Sequence, residues 1–122
     1  MAWRLSGRAA DRIDEILFES ARRWGVDAAV RYDRLLLAAM GAVGDCPDHP
    51  GSRDIPRVTG LRTFHLRSAR RLVEREYRVA EPRHLIVYRV AADGVVEILS
   101  VVHDRMLLAR AARRARREAD SL

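Results

Sequence analysis

An α+β fold is predicted for this chain of 122 residues: an N-terminal strand and an α-helical hairpin packed on an antiparallel β-sheet, followed by a basic C-terminal helix. Three observations predict it. Apolar residues recur at helical spacing from Ala9 to Val43, the period changes to two after Gly60, and helical spacing returns after Asp104 with arginine along one side. The length suits one domain spanning 1–122, with its final helix at about 104–122. Hydrophobic residues make up 48% of the chain, too many for a disordered tail, yet no apolar run approaches bilayer length. Residues 1–6 lead straight into charged positions without the apolar segment of a secretion signal, so a cytoplasmic protein with no membrane contact is expected. Cys46 stands alone, which excludes an internal disulfide and a multi-cysteine zinc site.

The elements follow in order. Trp3 and Leu5 alternate with polar neighbours as in a short strand, and Ser6 is placed to cap a helix. Ala9, Ile13, Ile16, Leu17 and Trp24 then form one helical face, which Gly25 ends. Ala28, Tyr32, Leu35, Leu36, Ala39, Met40 and Val43 form a second, and so short a link implies an antiparallel helical hairpin. Trp3 and Trp24 are both expected in the core. Residues 45–59 hold Pro47, Pro50, Pro56 and Gly51 and are expected to be loop.

Leu61, Thr63 and His65 open a strand. Residues 85–90 and 95–102 read as two strands joined through Asp93-Gly94, a hairpin signature because glycine accepts positive φ. Residues 68–82 are ambiguous, with a short helix capped by Ser68 preferred. In the strand pair, Ile86, Tyr88, Val90, Val96, Ile98 and Val102 are expected on one side, and Leu85, Val87, Val95, Leu99 and Val101 on the other. One helical layer covers one face, so the other needs either the C-terminal helix or a partner. That helix carries a stripe of Arg110, Arg113, Arg114 and Arg117, with Asp104 near its cap.

Charge is uneven. All 23 basic residues are arginine; residues 1–46 hold seven of them against seven acids, and residues 47–122 hold sixteen against ten. The whole excess of +6 therefore lies in the second part and points to an acidic partner, nucleic acid or protein.

Residues 82–90 (PRHLIVYRV), Asp93-Gly94 with 95–99 (VVEIL), and 101–106 (VVHDRM), together with Arg23-Trp24-Gly25 and Gly60-Leu61-Arg62, resemble the RelE/ParE toxin superfamily of bacterial toxin–antitoxin systems. The likeness covers nearly everything from Leu5 to about Ala109 and is closer to the ParE branch. It implies a cognate antitoxin whose flexible segment wraps the toxin. RelE-like members cut messenger RNA on the ribosome, whereas ParE-like members poison DNA gyrase by binding it.

RNA cleavage needs a base, an acid and cations around the phosphate. Nuclease relatives place arginine directly after a histidine equivalent to His84. Here Leu85 follows, and His103 is followed by Asp104, whose charge repels phosphate. These departures favour a binder with no catalytic residues. If the chain is nonetheless a ribonuclease, its machinery is expected from His65, Arg67, Arg83, His84, Tyr88 and His103. On the binding reading, Arg67, Arg83, Arg89, His103, Asp104 and Met106 meet the target. Leu85, Val87, Leu99 and Val101 offer apolar contact to the antitoxin or to the chain's own last helix, and the arginine stripe docks an acidic antitoxin segment. Direct nucleic-acid binding by that helix is a weaker alternative. His65, His84 and His103 stand nineteen residues apart, but sequence spacing across unequal loops has no geometric meaning, so no metal and no cofactor is predicted.

Overall fold

Ser6 sets where the first helix begins. Its hydroxyl accepts the Ala9 amide at 3.1 Å, satisfying a donor that the first helical turn leaves free. The computed structural model describes residues 2–121. A short strand β1 (Trp3–Leu5) leads into α1 (Gly7–Trp24) and α2 (Val26–Asp45), with Gly25 at φ 95° reversing the chain between them. Strands β2 (Ser52–Ile55), β3 (Val58–His65), β4 (His84–Val90) and β5 (Val96–His103) follow, and α3 (Leu108–Asp120) closes the fold. The five strands form one sheet in the order β1-β5-β4-β3-β2.

The sheet is mixed, where an antiparallel one was expected. β1 pairs parallel to β5, Trp3 opposite Val96 and Leu5 opposite Ile98. The long crossover through the helices and the other strands permits this, since only tight turns enforce antiparallel pairing. Trp3 packs beside Gly44, where a Cβ would stand 2.9 Å from the indole Cδ1. The missing side chain in the last turn of α2 therefore seats the indole. Trp24, expected in the core, is 74% exposed, because it lies where α1 ends and the chain turns back.

Two apolar layers sandwich the sheet. The helical hairpin covers one face, where Ile13, Ile16, Leu35, Leu36 and Met40 meet Phe64, Ile86, Tyr88 and Ile98. α3 covers the other, where Ala112 and Ala115 lie on Leu61, Val87, Leu99 and Val102. The division along β5 corrects the expected alternation. Val87 pairs with Ser100 but Tyr88 with Ile98, so Leu99 is an extra residue, a β-bulge. Beyond it the parity inverts: Val101 joins the hairpin side and Val102 the α3 side.

Three further expectations change. The loop at 45–59 contains β2, paired with β3 through the two-residue turn Pro56-Arg57. Residues 66–72 and 75–77 form 3₁₀ helix, capped by the His65 side chain rather than by Ser68, and Arg34 stacks over Tyr77 at 3.9 Å. Asp104 does not cap α3, which starts at Leu108 without a side-chain cap. Arg113 donates to the Arg57 carbonyl at 2.9 Å and Arg116 to that of Thr59 at 2.6 Å, so α3 holds the β2–β3 turn.

In that turn Arg57 adopts φ 67°, where a side chain crowds its own carbonyl and only glycine is at ease. Arg57→Gly keeps both carbonyl acceptors and removes the strain. A stabilisation of about 1 kcal/mol is expected in urea unfolding, and a loss of stability would show that the Arg57 side chain itself holds the turn.

Candidate functional site

β3 ends on His65, β4 begins with His84, and β5 ends on His103, so one end of the sheet gathers three imidazoles. His84 pairs with His103 in the β4–β5 ladder, and their rings meet edge to face with centroids 5.3 Å apart. Asp104, the first residue after β5, sits among them. Its Oδ2 accepts from His65 Nε2 at 3.2 Å, and its Oδ1 lies 3.4 Å from His103 Nδ1 and 3.7 Å from Arg83 Nε.

Hydrogen bonds set the imidazole tautomers. Each of the three Nδ1 atoms is an acceptor: His65 from the Arg67 amide and His103 from the Arg105 amide, both at 3.1 Å, and His84 from the Tyr32 hydroxyl at 2.6 Å. The last assignment follows because the Arg83 amide donates to that hydroxyl at 3.2 Å, leaving the phenolic proton for His84. The imidazole protons of His65 and His84 then reside on Nε2.

Burial sets the charge states. Desolvation lowers the pKa of His84 to about 4, and neighbouring His103 and Arg12 push it the same way. His65 is also lowered, again chiefly by burial, although its bond to Asp104 opposes this. Burial would raise the Asp104 carboxyl, but the hydrogen bond from His65 and the nearby Arg83 and His103 outweigh it and hold the group low. Tyr32 is raised, first by burial, so at neutral pH it remains a donor.

A groove of about 910 Å³ runs from this cluster between α1, the start of α2 and residues 78–84. Ile16, Trp24, Ala28, Val79 and Ala80 give it apolar walls. Arg12, Arg23, Arg31, Arg78 and Arg83 border it, against Glu15, Glu19 and Glu81, and His84 and His103 line it together with Tyr32. Some of these cations are engaged: Arg12 with Glu15 at 2.6 Å, Arg23 with Glu19 at 2.9 Å, and Arg78 with the Val73 carbonyl at 2.9 Å.

The structure brings together His65, Arg83, His84, His103 and Asp104. Arg67 and Met106 are exposed beside them. It does not bring the others. Tyr88 is fully buried, its hydroxyl bonded to the Ser52 hydroxyl and the Pro47 carbonyl, so it is a core residue outside the site. Arg89 lies near the opposite end of β4, paired with Glu97 at 2.7 Å and Asp120 at 2.8 Å, and ties α3 to the sheet.

Of the apolar quartet, Leu85, Val87 and Leu99 meet the chain's own last helix, one of the two expected alternatives, and only Val101 departs from both. Val87 and Leu99 are fully buried under the chain's own α3, with Leu85 half-buried beside them, and Val101 is buried under the hairpin. None of the three buried side chains presents a surface to another protein. In the arginine stripe, Arg113 is engaged by the β2–β3 turn, Arg114 approaches Glu118 at 3.6 Å, and Arg110 and Arg117 are exposed. Among the described residues no group of three or more His, Cys, Asp or Glu side chains is arranged to hold a metal ion. Tyr32 and the groove arginines of the hairpin escaped sequence reasoning, because Tyr32 fits the apolar face of α2 and charges on α1 resemble a solvated face.

Two outcomes are expected. Tyr32→Phe leaves His84 Nδ1 without a donor and should cost about 1–3 kcal/mol in chemical denaturation. Because the folded pKa of His84, about 4, lies below the ordinary 6.5, the unfolded chain binds more protons between those values and stability falls as pH drops through that window. Thermal midpoints from pH 7 to 4 should show this fall, and His84→Asn, which keeps an acceptor for Tyr32, should flatten it. An unchanged slope in His84→Asn would assign the effect to other groups.

Residues 3–108 match the family model for the ParE toxin of type II toxin–antitoxin systems. The chain is 35% identical over 104 residues to Toxin ParE1 of Caulobacter vibrioides, covering 85% of this chain and 90% of that protein. This chain belongs to the ParE toxin family.

Proposed function

We propose that this protein is a toxin that acts by binding DNA gyrase and is silenced by a cognate antitoxin, which lays an acidic, partly apolar segment in the arginine-bordered groove. The groove carries the reading. Its apolar walls and five bordering arginines suit a peptide with carboxylates beside apolar side chains. Guanidinium groups pair with carboxylates in fixed two-point geometry, which gives such a contact direction as well as charge. Family membership supports the same partner.

The histidine cluster supports binding over cleavage. A general base works best with a pKa near the working pH. His84, at about 4 with its Nδ1 already bonded, is a weak base, and His65 is committed to Asp104. The Asp104 carboxylate adds negative charge where an RNA phosphate would have to sit. A cytoplasmic site of action fits this reading, and among the described residues no helix is long and apolar enough to cross a membrane.

Purified protein is expected to inhibit supercoiling by gyrase and to leave messenger RNA on translating ribosomes intact. Cleavage of the message, lost on His103→Ala, would replace the proposal with the ribonuclease reading. Arg83→Glu puts a carboxylate at the groove border and is expected to weaken antitoxin binding at least about tenfold in titration calorimetry, roughly 1.4 kcal/mol. Wild-type affinity would remove the antitoxin from the groove.

A further inference from the structure

The helical hairpin has an outward face that nothing in the fold covers. α1 and α2 rest on the sheet through Ile13, Ile16, Leu35 and Leu36, and side chains two residues further on point away from it. Phe18 on α1 is 71% exposed and Leu37 on α2 is 48% exposed. Val30, two turns before Leu37, and Val26, one turn earlier still, are exposed along the same side of α2. Single exposed apolar residues are ordinary; several aligned on one surface mark a contact.

Carboxylates share that face. Asp11 and Asp14 precede Phe18 by two turns and one, and Asp33 falls between Val30 and Leu37. Elsewhere on α1 acids are paired with arginine, as Glu15 is with Arg12 and Glu19 with Arg22 and Arg23. Among the described residues no ion pair or hydrogen bond from a side chain engages Asp11, Asp14 or Asp33. None of these residues lines the arginine-bordered groove, which runs along another flank of α1.

We infer that this outward face, with Phe18, Val30 and Leu37 bordered by Asp11, Asp14 and Asp33, is where the toxin grips its target, a protein that presents arginine or lysine around an apolar pocket. The inference rests on the toxin reading above. Charge selects the occupant: unpaired carboxylates repel nucleic acid and an acidic antitoxin segment, and a symmetric contact with a second copy would set aspartate against aspartate. The two surfaces differ in sign, so each selects its own partner.

The test uses the full chain carrying either Phe18→Ser with Leu37→Ser or Asp11→Arg with Asp14→Arg and Asp33→Arg. Asp33 is half-buried and the other four positions are exposed, and antitoxin affinity within twofold of wild type confirms an intact fold. Both variants are expected to abolish growth arrest on expression without antitoxin and to raise the concentration needed to inhibit gyrase at least tenfold. Full growth arrest by either variant overturns the inference, as does loss of antitoxin binding through this face, or a wild-type dimer in sedimentation that the substitutions dissociate. A wild-type chain that arrests growth yet spares gyrase refutes the gyrase assignment alone, and growth arrest then decides the surface. A wild-type chain that leaves growth unaffected refutes both.

Discussion

Strands β4 and β5 are apolar on both sides, and the architecture follows from having to cover them twice. The hairpin supplies large side chains to one face, while α3 reaches the other with Ala112 and Ala115. Alanine lets the helix axis approach closely but removes little apolar surface from water per residue. Polar ties accompany that thin contact: Arg89 to Asp120, Arg8 to Glu118, and Arg113 and Arg116 to the β2–β3 turn. Part of the basic charge of the C-terminal helix is thereby directed inward, to the chain's own carbonyls and carboxylates.

The same sheet builds the histidine cluster. Three strands end together, and the polar residues at their ends must be satisfied where the apolar core stops. A chain of donors does most of this, the Arg83 amide to Tyr32, Tyr32 to His84, and His65 to Asp104 Oδ2, while among the described residues the buried Asp104 Oδ1 accepts no hydrogen bond. Such a network is compatible with burial when the imidazoles of His65 and His84 are neutral, because a buried charge needs a partner. The one ionised group at its centre, Asp104, is held by His65 with Arg83 and His103 nearby. This is a rigid end to a groove more than a set of groups ready to exchange protons.

Around that frame the surface separates by sign. The arginine-bordered groove occupies one flank of the hairpin, and the aspartates of α1 and α2 occupy its outward face beside Phe18, Val30 and Leu37. Residues 1–46 carry equal numbers of arginine and acid, and that overall neutrality conceals a local separation of charge.

Periodicity determined the elements themselves: Ser6 as a cap, the helical hairpin, the Asp93-Gly94 turn and the basic last helix follow from local hydrogen bonding and from which residues tolerate water. The 3₁₀ cap by His65, the strand β2 and the parallel pairing of β1 depend on residues distant in sequence, so no local pattern reports them. Leu99 shows the limit most plainly. Alternation along β5 is visible in the sequence, but a single extra residue opposite β4 inverts which face each later side chain meets, and only the packed partner strand determines where that residue is inserted. His65, His84 and His103 were legible as candidates, yet Tyr32 and the groove entered only once α2 had been laid against β4, because the convergence of separate elements is decided by packing and not by spacing along the chain.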